Sequence, residues 1–210
     1  MINLNNSVFA IIEIGSSNTK THVYDNGKVI YNGVMTIEFK KNYAIDKKIV
    51  KDDLNKLYEI IEEVLEYTKN IYIFGCSIFR LISDDELKEI NDTLSEKYGL
   101  KIRVVSQEEE ALYTAYGCYN DIEYNGNIGI FIGGGGSVEL IVVNNKEIVE
   151  KKYLNFGVVD ITNKFETFEQ CARGTNGIYY ITEGTNAYIS VTVTKTEDLG
   201  SHTMFIGEIT

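Results

Sequence analysis

Two stretches of this chain have the residue types of a phosphate site: Gly15-Ser16-Ser17-Asn18-Thr19 and Gly133-Gly134-Gly135-Gly136-Ser137. Each follows an apolar, β-rich run, Val8 to Ile14 and Ile128 to Ile132. Consecutive glycines weaken a strand or a helix, because glycine loses the most backbone freedom on ordering. What they provide is close approach: without Cβ atoms the chain turns tightly and an anion can reach backbone N–H groups. Taken singly, the first stretch is ordinary hydroxyl-rich turn chemistry and the second a glycine-rich hairpin turn. Their recurrence after matched strands points instead to phosphate. Glu13 stands just before the first stretch, Glu139 just after the second, and Arg80 closes Gly75-Cys76-Ser77-Ile78-Phe79-Arg80. An arginine just past a strand end suits an anion, although a structural ion pair fits the sequence equally well.

The elements that must position these residues follow from periodicity. Val8 to Ile14, Thr21 to Tyr24 and Lys28 to Tyr31 read as strands, with Asp25-Asn26-Gly27 as a hairpin turn between the last two. Lys40, Lys41, Lys47, Lys48 and Lys51 form a basic island that reads as a solvated loop face or a contact for an anionic substrate. Asp52 or Asp53 caps a helix whose stripe is Leu54, Leu57, Ile61, Val64 and Leu65. Ile71 to Phe74 is a short strand. Ser83-Asp84-Asp85-Glu86 is a capping box opening a helix that turns Leu87, Ile90 and Leu94 inward and stops at Gly99. Lys101 to Val105 is the next strand, and Ser106-Gln107-Glu108-Glu109 opens a helix with Ala111, Leu112, Ala115 and Tyr116 on one face. Val138 to Val143 and Glu147 to Tyr153 form a second hairpin about Asn144-Asn145-Lys146. Strand, glycine/hydroxyl turn, strand, hairpin thus occurs twice, at 8–31 and 128–153, inside an α/β layer whose ligands belong at the strands' carboxyl ends.

Composition excludes several classes. The 210 residues are 44% hydrophobic and 24% charged, enough apolar content for a packed core. A net charge of −11 argues against nucleic acid. No apolar run approaches the roughly 20 residues of a membrane span, and Met1 to Asn6 lacks a signal peptide's basic start. Cys76, Cys118 and Cys171 are far apart with no CxxC pair, which suits a reducing cytoplasm.

IIEIGSSNTK (11–20), FGCSIFR (74–80), VVSQEEEALYTAYG (104–117) and FIGGGGSVEL (131–140), in that order, resemble the exopolyphosphatase/guanosine pentaphosphate phosphatase family over about 7–162. The resemblance implies a ribonuclease-H-like α/β subdomain of the actin, sugar kinase and Hsp70 ATPase class over 1–127, and the start of a second, incomplete subdomain over 128–162. It also implies phosphoanhydride hydrolysis with polyphosphate or a guanosine polyphosphate as partner and Mg²⁺ as cofactor; the oligomeric state stays open, a dimer included. Glu110 matches the family's general base; by its position alone it is a first-turn carboxylate favoured by the helix dipole. Arg80 matches the phosphate-binding arginine, and Gly15, Ser16, Ser17, Asn18 and Thr19 match the first phosphate loop. Gly134, Gly135, Gly136 and Ser137 match the second loop, while Glu13 and Glu139 fall at the metal-oriented carboxylates. Two positions depart from the family: Glu13 stands where it has aspartate, and Ile132, or Phe131, stands where a second aspartate is expected. The resemblance therefore carries phosphate binding further than hydrolysis, and a binding-only sensor is the alternative.

Near Asn163 the pattern changes. Residues 163–210 are strand-rich, with alternation from Ala187 to Val193, and the GSHTMFIGEI ending resembles flavin reductase-like FMN-binding split barrels. That resemblance implies a flavin-proximal His202 and an FMN-dependent oxidoreductase as the competing enzyme class. The part of such a barrel that makes most FMN phosphate contacts is missing, so FMN binding by this fragment is not expected. The junction reads as two incomplete domains joined in a chimeric or truncated frame, or as a fusion whose tail lends strands to the unfinished subdomain.

Overall fold

The computed structural model describes residues 8–120, 126–133, 137–145 and 147–154, and the backbone of four further strands between 171 and 209. The chain divides into two compact units, Met1–Glu110 and Ala111–Thr210.

In the first unit, β1 (Phe9–Ile14), β2 (Asn18–Asp25), β3 (Lys28–Thr36), β4 (Ile71–Gly75) and β5 (Ile102–Val104) make a mixed sheet in the order β3-β2-β1-β4-β5. β1 pairs antiparallel with β2 and parallel with β4, and β4 pairs parallel with β5. This is an α/β layer with the connectivity expected of a ribonuclease-H-like sheet. Leu57, Ile60, Ile61 and Val64 of α2 (Lys51–Leu65) and Ile90 and Leu94 of α3 (Asp84–Tyr98) share one core with Ala10, Ile12, Ile14 and Ile73. Alternate residues of β1 therefore face this core, and the residue between Ile12 and Ile14, Glu13, lies on the other face of the strand.

Three local expectations are corrected. The basic stretch is only partly a loop: Lys40 and Lys41 lie in α1 (Phe39–Asp46), which is seated by the fully buried Phe39 and ended by Lys47 at φ 56°, Lys47 and Lys48 lie in the connection, and Lys51 opens α2. Asp52 and Asp53 do not cap α2, whose first flanking residue is Val50; Asp53 lies in the first turn, 2% exposed, with both carboxylate oxygens 3.0 Å from Asn42 Nδ2. Ser83 does cap α3 by accepting from the Glu86 N–H, but the Glu86 carboxylate reaches the Ile49 N–H at 2.6 Å rather than back to Ser83.

In the second unit, β6 (Asn127–Gly133), β7 (Val138–Asn144) and β8 (Glu147–Leu154) form an antiparallel meander. Ile128, Ile130, Ile141 and Val143 pack with Ala111 and Ala115 of α4 (Gln107–Asn120). The internal repeat holds residue by residue. Ile14 faces Thr19 as Gly133 faces Val138, and the hairpins end at Asp25 and Asn144, a constant displacement of 119 (133 − 14, 138 − 19, 144 − 25). Both turns open with an asparagine in the left-handed region, Asn26 at φ 49° and Asn145 at φ 48°. Both hairpins also carry a one-residue bulge, at Ile30 and at Val149.

From 163 onward the structure describes β9 (Cys171–Arg173), β10 (Tyr179–Ile181), β11 (Val191–Asp198) and β12 (Thr203–Ile209). β9 pairs with β10, and β12 pairs with both β11 and β6, extending the second sheet to β11-β12-β6-β7-β8. No helix among the described residues is long and apolar enough to cross a membrane.

Candidate functional site

Glu13, Cys76 and Glu110 come together beyond the carboxyl ends of β1 and β4, with their ligating atoms all within 4.8 Å of one another. Glu13, the penultimate residue of β1, stands opposite Lys20, whose Nζ is 3.8 Å from its Oε1. Cys76 follows β4 directly, and its N–H bonds the Ile14 carbonyl at 2.9 Å, which ties the two strand ends together. Burial pushes the Cys76 thiol well above its ordinary range, with the carboxylates of Glu110 and Glu13 adding to the rise. It is therefore a neutral thiol rather than a nucleophile.

Glu110 is aimed by the capping box before it. Ser106 Oγ accepts from the Glu109 N–H and Glu109 Oε2 accepts from the Ser106 N–H, each at 3.1 Å. Arg103 holds the other Glu109 oxygen at 2.6 Å. The Ser106 N–H, with Arg103, keeps the Glu109 carboxyl below the usual carboxylate range. Glu109 is thus committed to the helix end, and the next residue meets Arg80: Nη1 donates to Glu110 Oε2 at 2.7 Å and to the Val105 carbonyl at 3.1 Å. A guanidinium has five N–H donors, and these two contacts use only those on Nη1. The Nε–Nη2 edge retains the fork geometry that grips a phosphate through two oxygens.

The first glycine loop lies beside this pair. Gly15 N–H bonds the Asn18 carbonyl at 2.9 Å, and the Ser17 and Ser16 carbonyls accept from Ile37 and Lys40, both at 3.0 Å. A Cβ on Gly15 would stand 2.9 Å from the Asn18 carbonyl, which is why glycine is needed there. Ser16 Oγ is 2.6 Å from Ser77 Oγ, linking this loop to the one after β4. Asn18 and Thr19 belong to β2 rather than to a turn. Thr19 is fully buried opposite Ile14, and its hydroxyl has no hydrogen-bond partner among the described residues.

Of the second loop, Gly134, Gly135 and Gly136 lie outside the described residues. Ser137 is half-buried at the start of β7, and Glu139, 3% exposed, faces Ile132 across the strand pair. By the displacement of 119, Ile132 occupies the place that Glu13 holds in the first hairpin and Glu139 the place of Lys20. His202 also lies outside the described residues. Lys48 and Lys51 of the basic island line a separate cleft of about 410 Å³ together with Glu86 and Glu89. Sequence reasoning passed over Cys76 and Ser77, although both lie in the FGCSIFR stretch; their position just after β4 was the available signal.

A family model described as the Ppx/GppA phosphatase family matches residues 28–173. The match ends eleven residues beyond the boundary expected at 162. A bifunctional 3-dehydroquinate synthase/phosphatase from Fusobacterium nucleatum is 31% identical over 185 residues, covering 77% of this chain and 27% of the relative. Among solved structures, a Ppx/GppA family member from Aquifex aeolicus is 18% identical with a TM-score of 0.63, covering 75% of this chain and 54% of that one. An exopolyphosphatase from Cytophaga hutchinsonii is 18% identical with a TM-score of 0.65, covering 77% and 54%. The chain thus spans about a quarter of the curated relative and about half of the solved ones. At this identity the structural likeness establishes the fold.

Proposed function

The chain belongs to the Ppx/GppA phosphatase family, and on that premise we propose that it binds the terminal phosphate of polyphosphate or a guanosine polyphosphate and hydrolyses its anhydride. The observation that carries this reading is the Arg80–Glu110 arrangement. One nitrogen of the guanidinium is anchored by Val105 and Glu110, and the opposite edge is left for an anion. Phosphate held on that edge would sit beside a carboxylate able to take a proton from an attacking water. Backbone amides and hydroxyls of Gly15 to Asn18 would add donors to the same phosphate. Gly134 to Ser137, with Glu139 two residues further on, match the family's second phosphate loop and would supply backbone amides and a hydroxyl to phosphate.

Mg²⁺ prefers hard oxygen ligands and keeps several waters. Glu13 fits that preference, and the Cys76 thiol within 4.8 Å of it is a softer donor that Mg²⁺ does not favour. Glu13 would hold the ion, which would supply neutralisation of phosphate oxygens, and Glu110 is left as the base. Hydrolysis is tested by phosphate release from polyphosphate in Mg²⁺. Release by the wild type and its loss in Glu110→Gln is the expected result; equal, slow release by both would remove Glu110 as the base.

One observation favours a binding-only sensor as the second reading. The position matched to Glu13 in the second hairpin is Ile132, so that hairpin lacks a carboxylate before its glycines. Polyphosphate binding without Mg²⁺-dependent release would select this reading.

A further inference from the structure

We propose that Ser77 is a phosphate-binding residue of this site, acting with Ser16 as a two-hydroxyl donor relay; the inference rests on the phosphate-binding reading above. Ser77 opens the short 3₁₀ turn Ser77–Arg80 with a φ of 49°. A serine in the left-handed region costs energy that the surrounding structure must offset, and such residues cluster at ligand clamps. Left-handed geometry alone would not assign a role, but two further features point the same way.

The first is accessibility. Ser77 and Arg80 bound the turn and are both partly accessible, while Ile78 and Phe79 between them are each 2% exposed in the core. The buried pair seats the turn and leaves the hydroxyl and the guanidinium at its two ends reachable from solvent.

The second is hydroxyl arithmetic. Ser16 Oγ and Ser77 Oγ are 2.6 Å apart, and each carries one O–H. One proton lies between the oxygens, so the other O–H has no partner in that contact. With Ser16 donating to Ser77, the Ser77 hydroxyl is left to donate onward, and a donor that also accepts a hydrogen bond is strengthened by polarisation. A phosphate oxygen gripped by the Arg80 edge would accept this bond. The hydroxyls come from loops after β1 and β4, adjacent parallel strands, so the relay spans the mouth of the site.

The test measures pyrophosphate and tripolyphosphate binding by titration calorimetry, with thermal midpoints, for wild type, Ser77→Ala, Ser77→Gly, Ser77→Thr and Arg80→Ala. Loss of one hydrogen bond to a charged ligand predicts affinity weaker by about tenfold or more in Ser77→Ala and Ser77→Gly. Ser77→Thr keeps the hydroxyl but adds a β-branch that a positive φ disfavours, so it should bind more tightly than Ser77→Ala while melting below wild type. Glycine adopts a positive φ without steric cost, so Ser77→Gly should hold or raise the midpoint while losing affinity, a split that a merely structural serine would not give. If wild type binds and Arg80→Ala does not, yet both Ser77→Ala and Ser77→Gly bind like wild type, the assignment of Ser77 is overturned and the parent reading stands. If wild type itself binds neither anion, both are overturned.

Discussion

Arg80 and Glu110, thirty residues apart in sequence, meet at 2.7 Å through a single nitrogen that also holds the Val105 carbonyl at 3.1 Å. Both side chains are more than two-thirds buried, so the pair is shielded from bulk water. The contact fixes the arginine by one end. Arg80→Lys keeps a positive charge but not the second edge, because an ammonium has no planar fork. Its affinity for short polyphosphates should fall about tenfold with little change in stability. Arg80→Ala should abolish detectable binding and also destabilise by about 1–3 kcal/mol, since it removes the guanidinium bonds to the Glu110 carboxylate and the Val105 carbonyl. Calorimetric titration and urea unfolding read the two effects separately, and equal affinities for Lys and Arg would refute the forked-grip argument.

Gly75 ends β4 immediately before Cys76, and a Cβ there would meet Ile102 Cγ2 at 2.8 Å and Phe79 Cβ at 2.9 Å. Neither neighbour is the loose end of a surface chain. Gly75→Ala should cost about 1–3 kcal/mol through overpacking. Because the same shift would move the turn that carries Arg80, phosphate affinity should fall with stability. An unfolding curve that matches wild type would show that the strand end can give way.

His22 lies in β2 opposite Ile11, on the face of the sheet that carries Glu13. Burial lowers its pKa below 6.5, with Glu13 opposing and Lys20 assisting the shift. A histidine whose folded pKa is depressed leaves the native state most stable above the unfolded value; that stability is lost as pH falls through the folded value. Thermal midpoints should therefore decline more steeply below pH 6.5 in wild type than in His22→Gln, and parallel acid limbs would remove His22 as the cause.

Parts of the fold were legible because their signals are local. The stripes of α2 and α3 and the Ser106 capping box each sit within a turn or two of sequence, and so does the Asn-containing turn of each hairpin. Helix α1 was not, since Phe39 is its one buried residue and no amphipathic stripe announces it. Within the candidate site, the loop and Arg80 could be nominated from residue type. The Ser16–Ser77 contact could not, because it joins residues 61 apart and depends on how β1 and β4 pair.

The repeat makes a further prediction at the departure from the family pattern. Ile132 faces Glu139 directly, so Ile132→Asp would set two carboxylates across one strand pair. Like charges directly opposite destabilise a sheet, and a divalent cation offsets that repulsion. The variant should melt below wild type in chelator and regain much of the difference in millimolar Mg²⁺. If the missing aspartate limits turnover, it should also release phosphate from polyphosphate faster than wild type. A midpoint indifferent to Mg²⁺ would show that this pair holds no ion.

The C-terminal strands give the last prediction. Ile206 pairs with Ile130 and Gly207 with Gly129, which places β12 on the edge of β6 opposite its β7 partner. In the first sheet the corresponding edge, that of β1, is taken by β4. The two edges are filled differently, since β4 runs parallel to β1 and β12 antiparallel to β6. An unpaired β6 edge would expose a row of N–H and C=O groups beside Ile128 and Ile130. A chain ending at Arg173 keeps all residues of the family match but loses β10, β11 and β12. It should aggregate at lower concentration and melt earlier than the full chain, and the full chain should resist limited proteolysis within β11 and β12. Both proteins should be colourless and take up no FMN, because the strands serve here to complete a sheet. A soluble, equally stable core ending near residue 162 would make the tail an appendage, and a yellow protein would return the flavin class to contention.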